Sequence, residues 1–208
     1  MANDLRTLLA HLQISNILSI IGFGFGANIA LTYLGLPDTE KSAHVGSFVG
    51  ISFPLPGSPT QTEKWIKEKW DARIALATRW QMGITADKAV YRWLSVDARG
   101  NANWVRVRDM IAAGSIEGMG KVSNAIVESV TSDKASNGKK ILKDLMVPSL
   151  FVTGGNDLVY PEEMEEYPSL MQDGMGKFEL LARGGRLAFY ERPGVFVDLL
   201  DSWLAKSS

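Results

Sequence analysis

From Leu12 to Pro37 the chain carries no charged residue, yet glycines at 22, 24 and 26 interrupt the run. A continuous apolar helix of that length could cross a bilayer, and the Gly22/Gly26 pair has the spacing that lets two such helices approach. Three alternating glycines in the middle, with Asn16 and Asn28 on either side, favour a turn between two buried elements instead. Asn16 to Gly22 (NILSIIG) is short, apolar and β-branched, as a buried strand requires, and Ala27 to Leu34 reads as a helix stopped by Gly35 and Pro37. The strongest local constraint is therefore strand, tight turn, helix. No membrane span is expected.

The remaining elements follow the same logic. Asp4 is a candidate N-cap, and Leu5, Leu8, Leu9 and Leu12 form the stripe of an amphipathic opening helix. MANDLRTLLAHL has neither a basic region before an apolar run nor a small-residue cleavage site, so it does not read as a secretory leader. Ala43 to Ile51 is a second strand, ended near Pro54 and Pro56; Met146 to Thr153 is a third and Lys177 to Leu181 a fourth. Between the second and third lies a helical section, about residues 60–145, with five of the six tryptophans, whose default role is core packing. Pro193 opens a closing helix with Phe196, Leu199, Leu200 and Trp203 on one face. Strands alternating with helices imply an α/β domain spanning 1–208, with a mostly parallel sheet, helices on both faces and a helical insertion over it. Thr131 to Lys140 (TSDKASNGKK) is expected to be a mobile loop.

Composition excludes several function classes. With 22 basic against 23 acidic residues the net charge is -1, which leaves no electrostatic footprint for nucleic acid. Absence of cysteine removes disulfides, thiolate metal sites and cysteine nucleophiles, and suits a cytoplasmic setting. The only histidines are His11 and His44, so imidazole, the usual general base, is scarce. Both read as surface or strand-end residues. Glu162, Glu163, Glu165 and Glu166 follow Pro161 at a helix start and read as a solvated face; no metal and no cofactor is expected.

The glycine turn admits two mechanistic readings. Gly22, Gly24 and Ala27 fit G-x-G-x-x-A, which would receive the pyrophosphate of NAD or NADP, but the next strand ends in Gly50, Ile51 and Ser52 with no acid for a ribose hydroxyl. Residues 22–26, Gly-Phe-Gly-Phe-Gly, also fit the G-x-S-x-G nucleophile elbow, with Gly24 in the nucleophile's place.

Downstream, two segments tip the balance. MVPSLFVTGGNDLVYP (146–161) resembles the strand and acid loop of α/β-hydrolases, and RGGRLAFYERPGVFVDLLDSW (183–203) is similar to their closing Gly-Gly-His turn, Glu-x-Pro and helix. The resemblance implies that Asp157 keeps the acid position, that Gly24 stands at the nucleophile position and Arg186 at the histidine position, and that the amides of Phe25 and Gly26 form the oxyanion or ligand-binding site. Arg92 to Leu94 and Val105 to Gly118 look like the cap of enol-lactonase-type carboxylic-ester hydrolases, which implies a small apolar ester or lactone as ligand. The triad loss is similar to that of the N-myc downstream-regulated proteins, which serve in interaction.

Arginine stays protonated and glycine offers nothing to acylate, so the chemistry is expected to be absent or severely impaired. Ser47, Ser52 and Thr153 have no imidazole to activate them. The leading reading is a ligand- or protein-binding module; the rivals are a working hydrolase with groups from elsewhere and an NAD(P)-binding protein. Asp157 and Arg186 are expected to form an ion pair, the alternatives being that Arg186 reaches solvent or binds a carboxylate or phosphate with the helix amides. Family strands that normally come before the opening helix are missing, which leaves Asn16–Gly22 as a sheet edge. Either the chain is incomplete or it pairs that edge, for example as a homodimer.

Overall fold

The computed structural model describes residues 1–56, 63–131 and 138–207. Four strands, β1 (Asn16–Phe23), β2 (His44–Ile51), β3 (Ser149–Gly154) and β4 (Gly176–Leu181), form one sheet in the order β1-β2-β3-β4, and every pairing is parallel. The helices are α1 (Ala2–His11), α2 (Phe25–Leu34), α3 (Glu63–Trp93), α4 (Ala102–Ala112), α5 (Ile116–Thr131), α6 (Gly138–Asp144), α7 (Pro161–Glu165), α8 (Tyr167–Leu170), α9 (Ala188–Glu191) and α10 (Pro193–Ser207).

Side chains alternate across each strand, so the sheet carries two cores. On one face Phe48, Phe53, Phe151 and Tyr167 meet with ring centres 5.4–6.4 Å apart, packed with Leu31 and Leu34 of α2, Leu142 of α6 and Met164 of α7. On the other, Val49, Ile51, Leu150 and Val152 pack on Phe196, Leu199, Leu200 and Trp203 of α10. Each fully buried side chain of this size contributes about 1.5–3 kcal/mol. Helices α4 and α5 each pack on α3, whereas α6 packs on α2 and α8.

Several local expectations need correction. Asp4 lies inside the first turn of α1, where it pairs with the N-terminal ammonium at 3.1 Å, and Met1 is the N-cap. Of the leucine stripe only Leu9 is buried; Leu8 and Leu12 are exposed, and α1 packs mainly on α2. Gly35 ends α2 with φ -76, so it is no left-handed cap; it makes room for Ile141, which an added Cβ would meet at 3.0 Å. Among the tryptophans, Trp104 is core, but Trp65 and Trp80 are exposed, covered by Lys69 and Arg79. The loop expected over 131–140 lies outside the described residues at 132–137, and 138–140 already belong to α6; the expected start of the helical section near residue 60 lies outside them too. Helix α3 is broken at Gln81, whose φ of 66 no helix tolerates. Among the described residues no helix is long and apolar enough to cross a membrane.

β1 is an edge strand. Among the described residues it bonds only to β2, and Leu18 and Ile21 are exposed. At its far end the chain turns tightly into α2, and an ideal Cβ on Gly22 would lie 2.5 Å from the Ala27 Cα, whereas one on Gly26 would meet nothing within 4 Å. The small residue is thus required at 22 and dispensable at 26. Gly22→Ala is expected to destabilise by about 1–3 kcal/mol through overpacking, and Gly26→Ala to be neutral or to stabilise by about 0.4–1 kcal/mol, as read by urea denaturation.

Candidate ligand site at the carboxyl edge of the sheet

A parallel sheet delivers all its strand ends to one side, where loops from β1, β2, β3 and β4 meet. Gly24 follows β1 with φ 54 and ψ -121, a conformation that L side chains rarely adopt, and its amide donates to the Ile51 carbonyl at 2.9 Å. The open space around it would admit a side chain, yet glycine supplies none. Phe25 and Gly26 begin α2, so their amides are among the first of a helix, which have no acceptor within it.

Next to it, Ser52 ends β2 with φ 43. Its hydroxyl donates to the Arg186 carbonyl at 2.9 Å and lies 3.1 Å from Thr153 Oγ1. The serine is thereby committed to holding the β4–α9 turn. Thr153 is buried beside it, and Ser47 sits within β2, where its hydroxyl donates to the Leu18 carbonyl at 3.2 Å, not at a strand end.

Asp157 follows β3. Its side chain is 1% exposed, and its carboxylate accepts Arg186 Nε and Nη2, both at 3.4 Å, and the Val159 amide at 3.1 Å. Arg186 also sits 4.6 Å over the Tyr160 ring. Burial pushes the Tyr160 phenol up, against the opposing pull of Arg186. The expected ion pair is therefore formed, and Arg186 does not simply reach solvent. Gly24, Asp157 and Arg186 share one edge, linked through Ile51 and Ser52. Both histidines are exposed and belong to the opposite, amino-terminal edge: His44 opens β2, and His11 closes the helix leading into β1.

Some residues that build the site gave no warning. Glu191 accepts the Gly185 amide at 2.7 Å and the Ser95 amide at 2.9 Å, and Ser95 Oγ also donates to it. The Leu187 amide donates to the Trp93 carbonyl at 3.2 Å, so the end of α3 is pinned to the turn that carries Arg186. Glu163 is no solvated residue: it accepts the Tyr167 hydroxyl at 2.9 Å and the Leu55 amide at 3.3 Å, and burial together with Glu163 raises the Tyr167 phenol. Among the described residues no three acidic or histidine side chains are grouped to hold a metal.

A carboxylate as enclosed as Asp157 depends on its partner. Arg186→Gln is expected to cost about 3 kcal/mol, the lower end for a broken buried pair because the contacts are long, read as a fall in the urea midpoint. Adding Asp157→Asn to that variant should restore much of the loss, since no unpaired charge is then buried.

No family model and no curated protein matches the sequence. Solved structures do match. A thermophilic esterase from Thermogutta terrifontis superposes with a TM-score of 0.79 at 20% identity, over 99% of this chain and 71% of that one. A carboxylesterase structure from Nitrososphaera gargenis gives 0.75 at 20% identity, over 99% and 71%. The enol-lactonase from Burkholderia xenovorans LB400 gives 0.75 at 20% identity, over 98% and 71%. With the parallel sheet, the glycine turn and helices on both faces, these likenesses establish that the chain has the α/β-hydrolase fold.

Proposed function

We propose that this chain is a non-catalytic or severely impaired relative of carboxylic-ester and lactone hydrolases that binds a small ester- or lactone-like ligand in the crevice at the carboxyl edge of its sheet. The observation that carries this reading is the Asp157–Arg186 pair beside Gly24. Acyl transfer needs an oxygen nucleophile and a base that can take its proton; here one position has no side chain and the other holds a cation that cannot accept a proton. The amides of Phe25 and Gly26 and the acid Asp157 are what such a site retains. Helices α3 to α5 serve as its cap, a role supported by the Trp93–Leu187 bond. A cysteine-free chain suits the cytoplasm.

The NAD(P)-binding alternative draws no support from the end of β2, where Ser52 is spent on the Arg186 carbonyl and no carboxylate is offered. A working hydrolase would have to take its groups from elsewhere. Hydrolysis of p-nitrophenyl acetate separates these: no turnover above buffer is expected from the folded chain, while turnover abolished by Asp157→Asn would contradict the reading.

Partner binding has its own candidate surface. The unpaired backbone of β1, with Leu18 and Ile21 exposed, suits strand addition by a second copy. Light scattering is expected to give a dimer for the parent chain and a monomer for Leu18→Lys; a monomeric parent would exclude this pairing.

A further inference from the structure

Four cationic side chains from three segments lie within electrostatic reach of one another at the carboxyl edge. Lys69 and Arg73 come from the first half of α3, Arg92 from its last turn, and Arg186 from the turn before α9. The backbone bond between Leu187 and Trp93 sets Arg92 and Arg186 side by side, each one residue before a bonded partner. How closely the segments run is shown at Gly185, where an ideal Cβ would lie 2.6 Å from the Trp93 carbonyl oxygen. Tyr160 lies under Arg186 and within the electrostatic reach of Arg73.

The charges there do not balance. Asp157 serves Arg186. Among the described residues Arg73 and Arg92 form no ion pair, and Arg73 instead stacks 4.9 Å from the centre of the Trp70 ring. The neighbouring acids are taken: Glu163 by Tyr167 and Leu55, Glu191 by Gly185 and Ser95. Burial, then repulsion from Arg92 and Arg186, holds the Arg73 guanidinium down, to about 10. Burial and then Arg186 lower Arg92, and burial followed by Arg73, Arg186 and Arg92 lowers Lys69. Guanidinium forks match the planar, paired oxygens of carboxylates and phosphates, so a cluster of them with one carboxylate between them is built for a further anion.

We propose that Arg73, Arg92 and Arg186, with Lys69 at the rim, form a binding site for a small ligand that carries an oxyanion, either a carboxylate or a phosphate ester. The inference rests on the reading that this crevice receives a ligand, and it changes the ligand's chemistry. A purely apolar ester would leave the cations as they are; an ester or lactone bearing an acid group, or the free acid itself, would neutralise them.

The test is calorimetric titration of the full chain with benzoate, phenyl phosphate and, as the neutral comparison, benzamide, with p-nitrophenyl acetate turnover measured on the same preparation. One of the two anions is expected to bind at least about tenfold tighter than benzamide and to weaken with added salt; Arg73→Gln and Arg92→Gln should each cost about tenfold in affinity, the worth of one charged hydrogen bond. The melting temperatures of both variants should hold or rise, because each removes a charge that repels its neighbours. Preference for benzoate assigns a carboxylate, and preference for phenyl phosphate a phosphate ester. Equal binding of all three probes, no binding of either anion, or unchanged affinity in both variants would overturn the anion site. Turnover in a preparation that binds the anion would contradict the non-catalytic reading and leave the anion site standing; no turnover and no anion binding would do the reverse.

Discussion

Asp157 is a carboxylate almost closed off from water, and its charge is met by one guanidinium. Much of the carboxyl edge is arranged around that pair. Ser52 holds the Arg186 carbonyl, Tyr160 lies under the guanidinium, the Val159 amide takes up one Asp157 oxygen, and Glu191 ties the preceding Gly185 to Ser95 beyond α3. Burying two charges is costly unless they meet and their remaining hydrogen-bonding capacity is used. Here the Val159 amide bonds the carboxylate besides Arg186, and the turn that carries Arg186 is tied separately to the end of α3 by the Leu187–Trp93 bond.

The same pair decides what the site can do. An imidazole between an acid and a hydroxyl passes a proton; on the proposed reading Arg186 takes that place, and its guanidinium holds the acid and adds a permanent positive charge. Gly24 keeps a backbone conformation that aims its residue into open space without providing an atom to react. On the proposed reading, what remains is a cationic strand-end surface with the first amides of α2 beside it, suited to binding rather than to acyl transfer.

Much of this was legible along the chain, because the features are local. A glycine turn between apolar runs writes strand, turn and helix within twenty residues, and the resemblance of 146–161 and 183–203 to α/β-hydrolase segments points to Asp157 and Arg186. The proposed cation cluster was not legible: Arg73 and Arg92 lie on opposite sides of the break at Gln81, so no helical period relates them, and only folding sets them within electrostatic reach of Arg186. Glu163 was misread as solvated because it stands among Glu162, Glu165 and Glu166, which are exposed, while the Tyr167 hydroxyl and Leu55 amide that claim it come from one turn on and from a distant loop. For the serines the sequence offered only the lack of an imidazole, while their partners became visible on folding: Ser52 and Ser47 are both engaged with backbone carbonyls.

The central claim is that the crevice retains the acid of a proton relay but neither of the groups that would make an oxygen nucleophilic. Incubation of the folded chain with a fluorophosphonate, followed by intact mass spectrometry, tests it most directly, because phosphonylation reports an activated hydroxyl independently of substrate choice. An unmodified mass is expected. A stoichiometric adduct on any serine, lost on denaturation before labelling, would contradict it.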